Sequence, residues 1–128
     1  MKVRQTVLSN RVGKTATPLS HAVKIEGLIY TSGQLGKDPE TGRIPEDFKE
    51  EVKQALTNIK NIIEDSGSNM DNVIKVNIYV TDINNVKELN EVYKTFFKEG
   101  NYPARCCVEV SKLALNARVE IEAIASWG

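Results

Sequence analysis

Arg105 and Cys107 stand two apart in Ala104-Arg105-Cys106-Cys107-Val108, and Glu120 and Glu122 stand two apart in Val119-Glu120-Ile121-Glu122. Residues two apart in a strand point to one face. A guanidinium on such a face suits a carboxylate ligand, which it binds through two parallel hydrogen bonds. A carboxylate such as Glu120 could hold or activate a water. If the two strands are neighbours, or come from two copies of the chain, a cation faces carboxylates. The same spacing also suits an ordinary cross-strand ion pair on a solvated sheet.

Other candidates are local. Cys107 could be a nucleophile only with a general base, and nothing in the sequence brings the one histidine, His21, close to it. A small buried hydrophobe is the competing reading. Ser32, in Tyr30-Thr31-Ser32-Gly33-Gln34, could bind an anion with its hydroxyl and the N–H groups around it, or could simply form a turn with Gly33. With one histidine and two adjacent cysteines, neither a zinc site nor a disulfide framework is expected.

The elements that must position these residues follow from periodicity. Phe48, Val52, Ala55, Leu56, Ile59, Ile62 and Ile63 recur in steps of three and four, which predicts a helix over about 46–66. Pro45, Glu46 and Asp47 suit its start and Gly67 its stop. Val86, Leu89, Tyr93, Phe96 and Phe97 predict a second helix over about 86–98, with Asn85 and Glu88 at capping-box spacing. Alternation predicts strands over 73–81, 104–111, 118–126 and 28–34. Residues 22–25 pair with the last of these through a tight turn at Glu26-Gly27, and 2–8 form a short edge strand.

The order β-β-β-α-β-α-β-β predicts one α+β domain over 1–128, with both helices on one face of a mixed sheet. On this reading Ile74, Val76, Ile78 and Val80 face the helices. Arg105, Glu109, Arg118, Glu120, Glu122, Lys75 and Asn77 lie on the other side. That side must meet water or another subunit.

The chain carries 17 basic and 17 acidic residues, is 41% hydrophobic and is 27% charged. A zero net charge argues against a nucleic-acid partner bound by bulk charge and against a polybasic membrane module. No apolar run reaches membrane-span length, and the N-terminal residues lack the apolar stretch of a secretory signal. The expectation is a reducing cytoplasm or organelle matrix.

Ser20-His21-Ala22-Val23, Tyr30-Thr31-Ser32-Gly33-Gln34, Asp38-Pro39-Glu40-Thr41-Gly42, Asn90-Glu91-Val92-Tyr93, Pro103-Ala104-Arg105-Cys106-Cys107-Val108-Glu109-Val110 and Val119-Glu120-Ile121-Glu122-Ala123-Ile124-Ala125 together resemble the RidA/YjgF family. Its members are also labelled L-PSP endoribonucleases or translation inhibitors. The resemblance runs from about Ser9 to Ala125. It implies a chorismate-mutase-like α+β fold, a homotrimer with clefts between subunits, and no cofactor. It also implies hydrolysis of reactive enamines and imines, such as 2-aminoacrylate and 2-aminocrotonate, to 2-keto acids and ammonia.

On the matching positions, the resemblance implies that Arg105 clamps the substrate carboxylate and Glu120 positions the attacking water. Ser32, Gly33 and the backbone at Cys107 complete the polar contacts, and Asn90 supports the cleft from the second helix. One block departs. Thr17-Pro18-Leu19-Ser20-His21-Ala22 stands where many deaminase members have Gly-Pro-Tyr-Ser-Gln-Ala, so Leu19 replaces a cleft tyrosine and His21 a glutamine. Ala114-Leu115-Asn116-Ala117 lacks the proline common before the last strand. Two other function classes stay open. One is a non-enzymatic 2-keto-acid-binding trimer, which Leu19 favours. The other is an endoribonuclease, to which the neutral charge and the absence of a basic-aromatic stripe give little support.

Overall fold

The alternating segments and the three–four stripes fold into seven strands and two helices, described over residues 3–127 in a computed structural model. Met1, Lys2 and Gly128 lie outside the described residues, among them the expected first residue of the edge strand. The strands are β1 (Gln5–Val7), β2 (Ala22–Ile25), β3 (Leu28–Thr31), β4 (Gln34–Leu35), β5 (Val73–Val80), β6 (Ala104–Glu109) and β7 (Val119–Ser126). The helices are α1 (Phe48–Asp65) and α2 (Val86–Tyr93).

All seven strands join one sheet in the order β1-β2-β3-β7-β5-β6, with β4 also pairing β7. Only β5 and β6 run parallel, as a strand–helix–strand crossover through α2 requires. Glu26 and Gly27 both have positive φ, the conformation of a two-residue hairpin turn that fits the twist of the strands.

The segment expected as one strand over 28–34 is broken at Ser32-Gly33. Tyr30 is opposite Ile124 but Gln34 is opposite Ile121, so four steps on one strand meet three on its partner. The Thr31 hydroxyl accepts the Ala123 N–H at 3.0 Å inside this gap. A bulge of this kind re-aims the side chains beside it.

Helix α1 is capped by Asp47, whose carboxylate accepts the Glu50 N–H at 3.1 Å. It ends where Gly67, at φ +96°, turns the chain, with Gly67 N–H donating to the Glu64 carbonyl and Ser68 N–H to that of Ile63. Its whole predicted stripe is buried. Helix α2 is shorter than its stripe predicts, because Lys94–Phe96 tighten into a 3-10 turn. The expected capping box is absent. A 3-10 turn over Ile83–Asn85 runs directly into α2, and Asp82, not Asn85, caps that turn by accepting the Asn84 N–H.

Helix packing decides which side of the sheet is inside. Val76, Ile78, Val80, Val119, Ile121, Ala123 and Ala125 are buried under α1 and α2, as alternation predicts. Ile74 is a correction. Two steps of β5, from Val73 to Lys75, meet one step of β7, and this bulge buries Val73 while leaving Ile74 47% exposed. The faces of β6 are a second correction. Its register with β5 sets Arg105 beside Val76, Cys107 beside Ile78 and Glu109 beside Val80, all on the helix side. Ala104, Cys106 and Val108 take the uncovered side. Strand β6 is the sheet's edge, so its inward face meets only the rim of the helical layer, where polar groups keep access to water.

Arg118 also leaves the uncovered side. Its Nε donates to Glu51 Oε1 at 2.6 Å and its backbone N–H to Oε2 at 2.7 Å, while its guanidinium reaches the carbonyls of Pro45 and Glu46. Glu51 is fully buried on α1, so this pair ties the start of the helix to the start of β7. A buried carboxylate left without its cation is costly. Glu51→Ala deletes that carboxylate but leaves Arg118, its N–H and a cavity without their partner. The expected loss is about 3 kcal/mol, the low end for a broken buried pair because Arg118 retains contact with water. Urea denaturation measures it, and an unchanged midpoint would refute the structural role.

Candidate functional site

The predicted site residues fall into two groups, with Arg105 and Glu120 on opposite faces of the sheet. Asn90, Arg105 and Cys107 form one. Leu19, Ser32, Gly33 and Glu120 form the other. Side chains level with one another across neighbouring strands share a face. Arg105 is level with Val76, and Val76 with Ala123, on the helix side. Glu120 is level with Tyr79, one residue out of step, and so on the uncovered side. The expected cation–carboxylate contact is therefore not made within one chain.

In the first group, Arg105 Nη2 donates to Asn90 Oδ1 at 2.6 Å, and the guanidinium lies over the Tyr93 ring with Cζ 4.7 Å from its centroid. Asn90 and Tyr93 are three apart on α2 and share a face. No carboxylate pairs with Arg105 among the described residues. Most of its donors are open to a ligand. Cys107 packs half-buried against the core, and burial pushes its thiol pKa up, which disfavours the thiolate a nucleophile needs. The small-hydrophobe reading fits it better.

The second group is organised by Gly33. A Cβ there would lie 2.5 Å from Glu120 Oε2, so the absence of a side chain is what lets the carboxylate fold over the β3–β4 break. Burial pushes the Glu120 pKa up, and the charge of Glu122 on the same strand pushes it further. Glu122 is itself held by Tyr79 Oη at 2.7 Å and Asn77 Nδ2 at 3.3 Å. That bond, with burial and the charges of Glu122 and Glu120 adding to it, raises the Tyr79 pKa to about 12.

The Ser32 hydroxyl donates to the Ser20 carbonyl at 2.6 Å, and the Ser32 N–H to the His21 carbonyl at 2.9 Å. Ser32 therefore braces the 9–20 loop against the break. Leu19, 39% exposed, lines a cavity of about 310 Å³ with Gly33, His21, Lys14 and Leu115. Lys14 and Leu115 were not anticipated. Leu115 stands at φ +57°, a conformation that nothing in its residue type announces.

His21 is a structural histidine. It is 4% exposed, and its Nδ1 accepts the Ser9 N–H at 2.8 Å. Burial lowers its pKa, so it holds this bond as the neutral ring. Among the described residues no cluster of three or more His, Cys, Asp or Glu side chains is placed to hold a metal ion. No helix among them is long and apolar enough to cross a membrane.

The chain is similar to known proteins over nearly its whole length. The family model described as Endoribonuclease L-PSP matches residues 9–127. A 2-iminobutanoate/2-iminopropanoate deaminase of Bos taurus is 42% identical over 127 residues, covering 98% of this chain and 92% of the relative. A RutC family protein of Aquifex aeolicus is 49% identical over 109 residues, covering 84% of this chain and 87% of that one. Among solved structures, Escherichia coli TdcF with bound serine superposes with a TM-score of 0.91 at 33% identity, covering 97% of this chain and 99% of that one.

Burial and Glu122 both act against the Glu120 anion, so Glu120 titrates above the ordinary value of 4.5. Glu122→Gln removes one cause and leaves the other. The Glu120 midpoint should fall in that variant without reaching the ordinary value. Carboxyl-carbon NMR titration reads this directly, and an unmoved midpoint would show that Glu120 does not feel the charge of Glu122.

Proposed function

This chain belongs to the endoribonuclease L-PSP family, and on that premise we propose that it is a deaminase that hydrolyses reactive enamines and imines to 2-keto acids and ammonia. The substrates are 2-aminoacrylate and 2-aminocrotonate and their imine tautomers. The observation that carries the reading is Arg105: a guanidinium held by Asn90 with no carboxylate partner among the described residues, in a protein whose 42% identical relative is a named 2-iminobutanoate/2-iminopropanoate deaminase.

Arg105 binds the substrate carboxylate through two parallel N–H···O bonds and fixes the imine carbon in place. Glu120 directs a water at that carbon. Its raised pKa makes it a better proton acceptor than an ordinary carboxylate. As the water oxygen bonds to carbon, the C=N π pair moves to nitrogen and Glu120 takes the water's proton. The tetrahedral carbinolamine then collapses. The proton held by Glu120 and the carbinolamine's hydroxyl proton both pass to nitrogen, the C–N bond breaks, and ammonia departs as the C=O bond forms. An imine carbon is already electrophilic, so orientation and one proton-handling carboxylate supply much of the acceleration. Ser32, Gly33 and the backbone at Cys107 add polar contacts, and no cofactor takes part.

The opposed faces of Arg105 and Glu120 support a site shared between subunits. We take the assembly to be a homotrimer whose clefts combine the Arg105 side of one subunit with the Glu120 side of its neighbour. The uncovered face supports this too. Tyr30 is 43% exposed there beside Val23 and Ile124, and Val108, on the edge strand β6, is also 43% exposed. Free cysteines at 106 and 107 suit a cytoplasmic setting. Leu19 favours the second reading, a keto-acid-binding trimer without catalysis.

The deciding assay couples a serine or threonine dehydratase to this protein, with semicarbazide competing for the imine and keto-acid release followed. Wild type accelerates release. Arg105→Ala loses about 100-fold or more in kcat/KM, as expected for two charge-assisted hydrogen bonds at about 1.5 kcal/mol or more each. Glu120→Gln loses about 10²–10⁴ in kcat. An inactive wild type that gains activity in Leu19→Tyr establishes the binding reading. Light scattering at micromolar protein should return three times 14.3 kDa. A monomer mass removes the shared site.

A further inference from the structure

We propose that Tyr93 is a positioning residue for Arg105, its ring fixing the plane of the guanidinium so that the free N–H edge is presented to the ligand carboxylate. This rests on the assignment of Arg105 made above and adds a residue to that site.

Tyr93 is 4% exposed, held in the core with Phe97 packed against it at a ring separation of 4.8 Å. Arg105 Cζ lies 4.7 Å from its ring centroid. An aromatic face is negative at its centre and attracts a cation lying over it, more strongly where water is partly excluded. The Tyr93 hydroxyl is buried and has no hydrogen-bond partner among the described residues. What Tyr93 offers Arg105 is therefore the ring face, not a hydrogen bond.

One turn of helix thus holds the guanidinium twice. Asn90 takes one N–H in the plane, and Tyr93, three residues on, sets the plane's tilt. An arginine without a carboxylate partner otherwise samples many rotamers, and ordering it would weaken ligand binding. Restraint by a ring and an amide leaves the guanidinium fully charged. Restraint by an acidic side chain would compete with the ligand.

The test compares two rings of nearly equal shape. Tyr93→Phe removes only the unpartnered hydroxyl and serves as the reference ring. Pentafluorophenylalanine at position 93 keeps the ring but reverses the sign of its face. It should raise KM about tenfold over Tyr93→Phe, with kcat within about twofold. In an Arg105→Ala background the two rings should give the same KM, since a ring that acts only through Arg105 has nothing left to act on. The Arg105 Nε–H NMR signal should shift and broaden or sharpen between the two rings in the ligand-free protein. Equal KM values in an active enzyme overturn the proposal. An inactive wild type overturns the deaminase reading instead, and the NMR comparison then decides: an Arg105 signal identical for both rings overturns the role of Tyr93, and a displaced one supports it.

Discussion

Strand residues alternate between two faces, and in this sheet the alternation separates the two groups best suited to chemistry. Strand β5 lies between β6 and β7 and carries the register from one to the other. Through it Arg105 is aligned with the buried row of Val76 and Ala123, while Glu120 is aligned with Tyr79 on the opposite surface. No side-chain rotation can bring them together, because the sheet itself lies between. Two helices cover only one of the two faces. What the single chain leaves apart and uncovered defines what a second chain would have to supply.

The rest of the architecture holds these positions. The buried Glu51 carboxylate grips both the side chain and the backbone of Arg118, which fixes where β7 begins and hence the height of Glu120 two residues later. On the far side, the break between β3 and β4 places Gly33 under the Glu120 carboxylate. Ser32 pins the 9–20 loop to that same break. Asn58, almost fully buried on α1, donates to the carbonyls of Leu35 and Lys37 and keeps β4 in place. Each of these contacts ties a loop to a rigid element, which is how a carboxylate can be held in partial burial with its proton affinity raised.

Much of the fold was legible because burial imposes a period. The α1 stripe and the inward row of β7 were read correctly from the spacing of apolar residues alone. On β6 the apolar row Ala-Cys-Val points away from the helices and Arg-Cys-Glu toward them, the reverse of what composition predicts, because on an edge strand apolarity no longer tracks burial. On β5 one bulge inverted the side of Ile74. Counting places Arg118 on the outer face, but it lies before the strand and curls inward to meet Glu51. The capping role given to Asn85 passed to Asp82, because an extra turn precedes the helix.

The sequence by itself determined the element types, the two-layer α+β class and, through a set of family motifs, the residues to suspect: Arg105, Glu120, Ser32, Gly33, Asn90, Cys107 and Leu19. These are carried by residue identity and by local periods of two and 3.6, which any chain must satisfy to bury its apolar surface. Tertiary structure alone decided which suspects stand together. Strand register, two bulges and an edge position set Arg105 and Glu120 on opposite faces of the sheet and placed Tyr93 beneath Arg105. Register is a relation between segments distant in sequence, and a shift of one residue reverses every side chain's face, so no local pattern could have announced it.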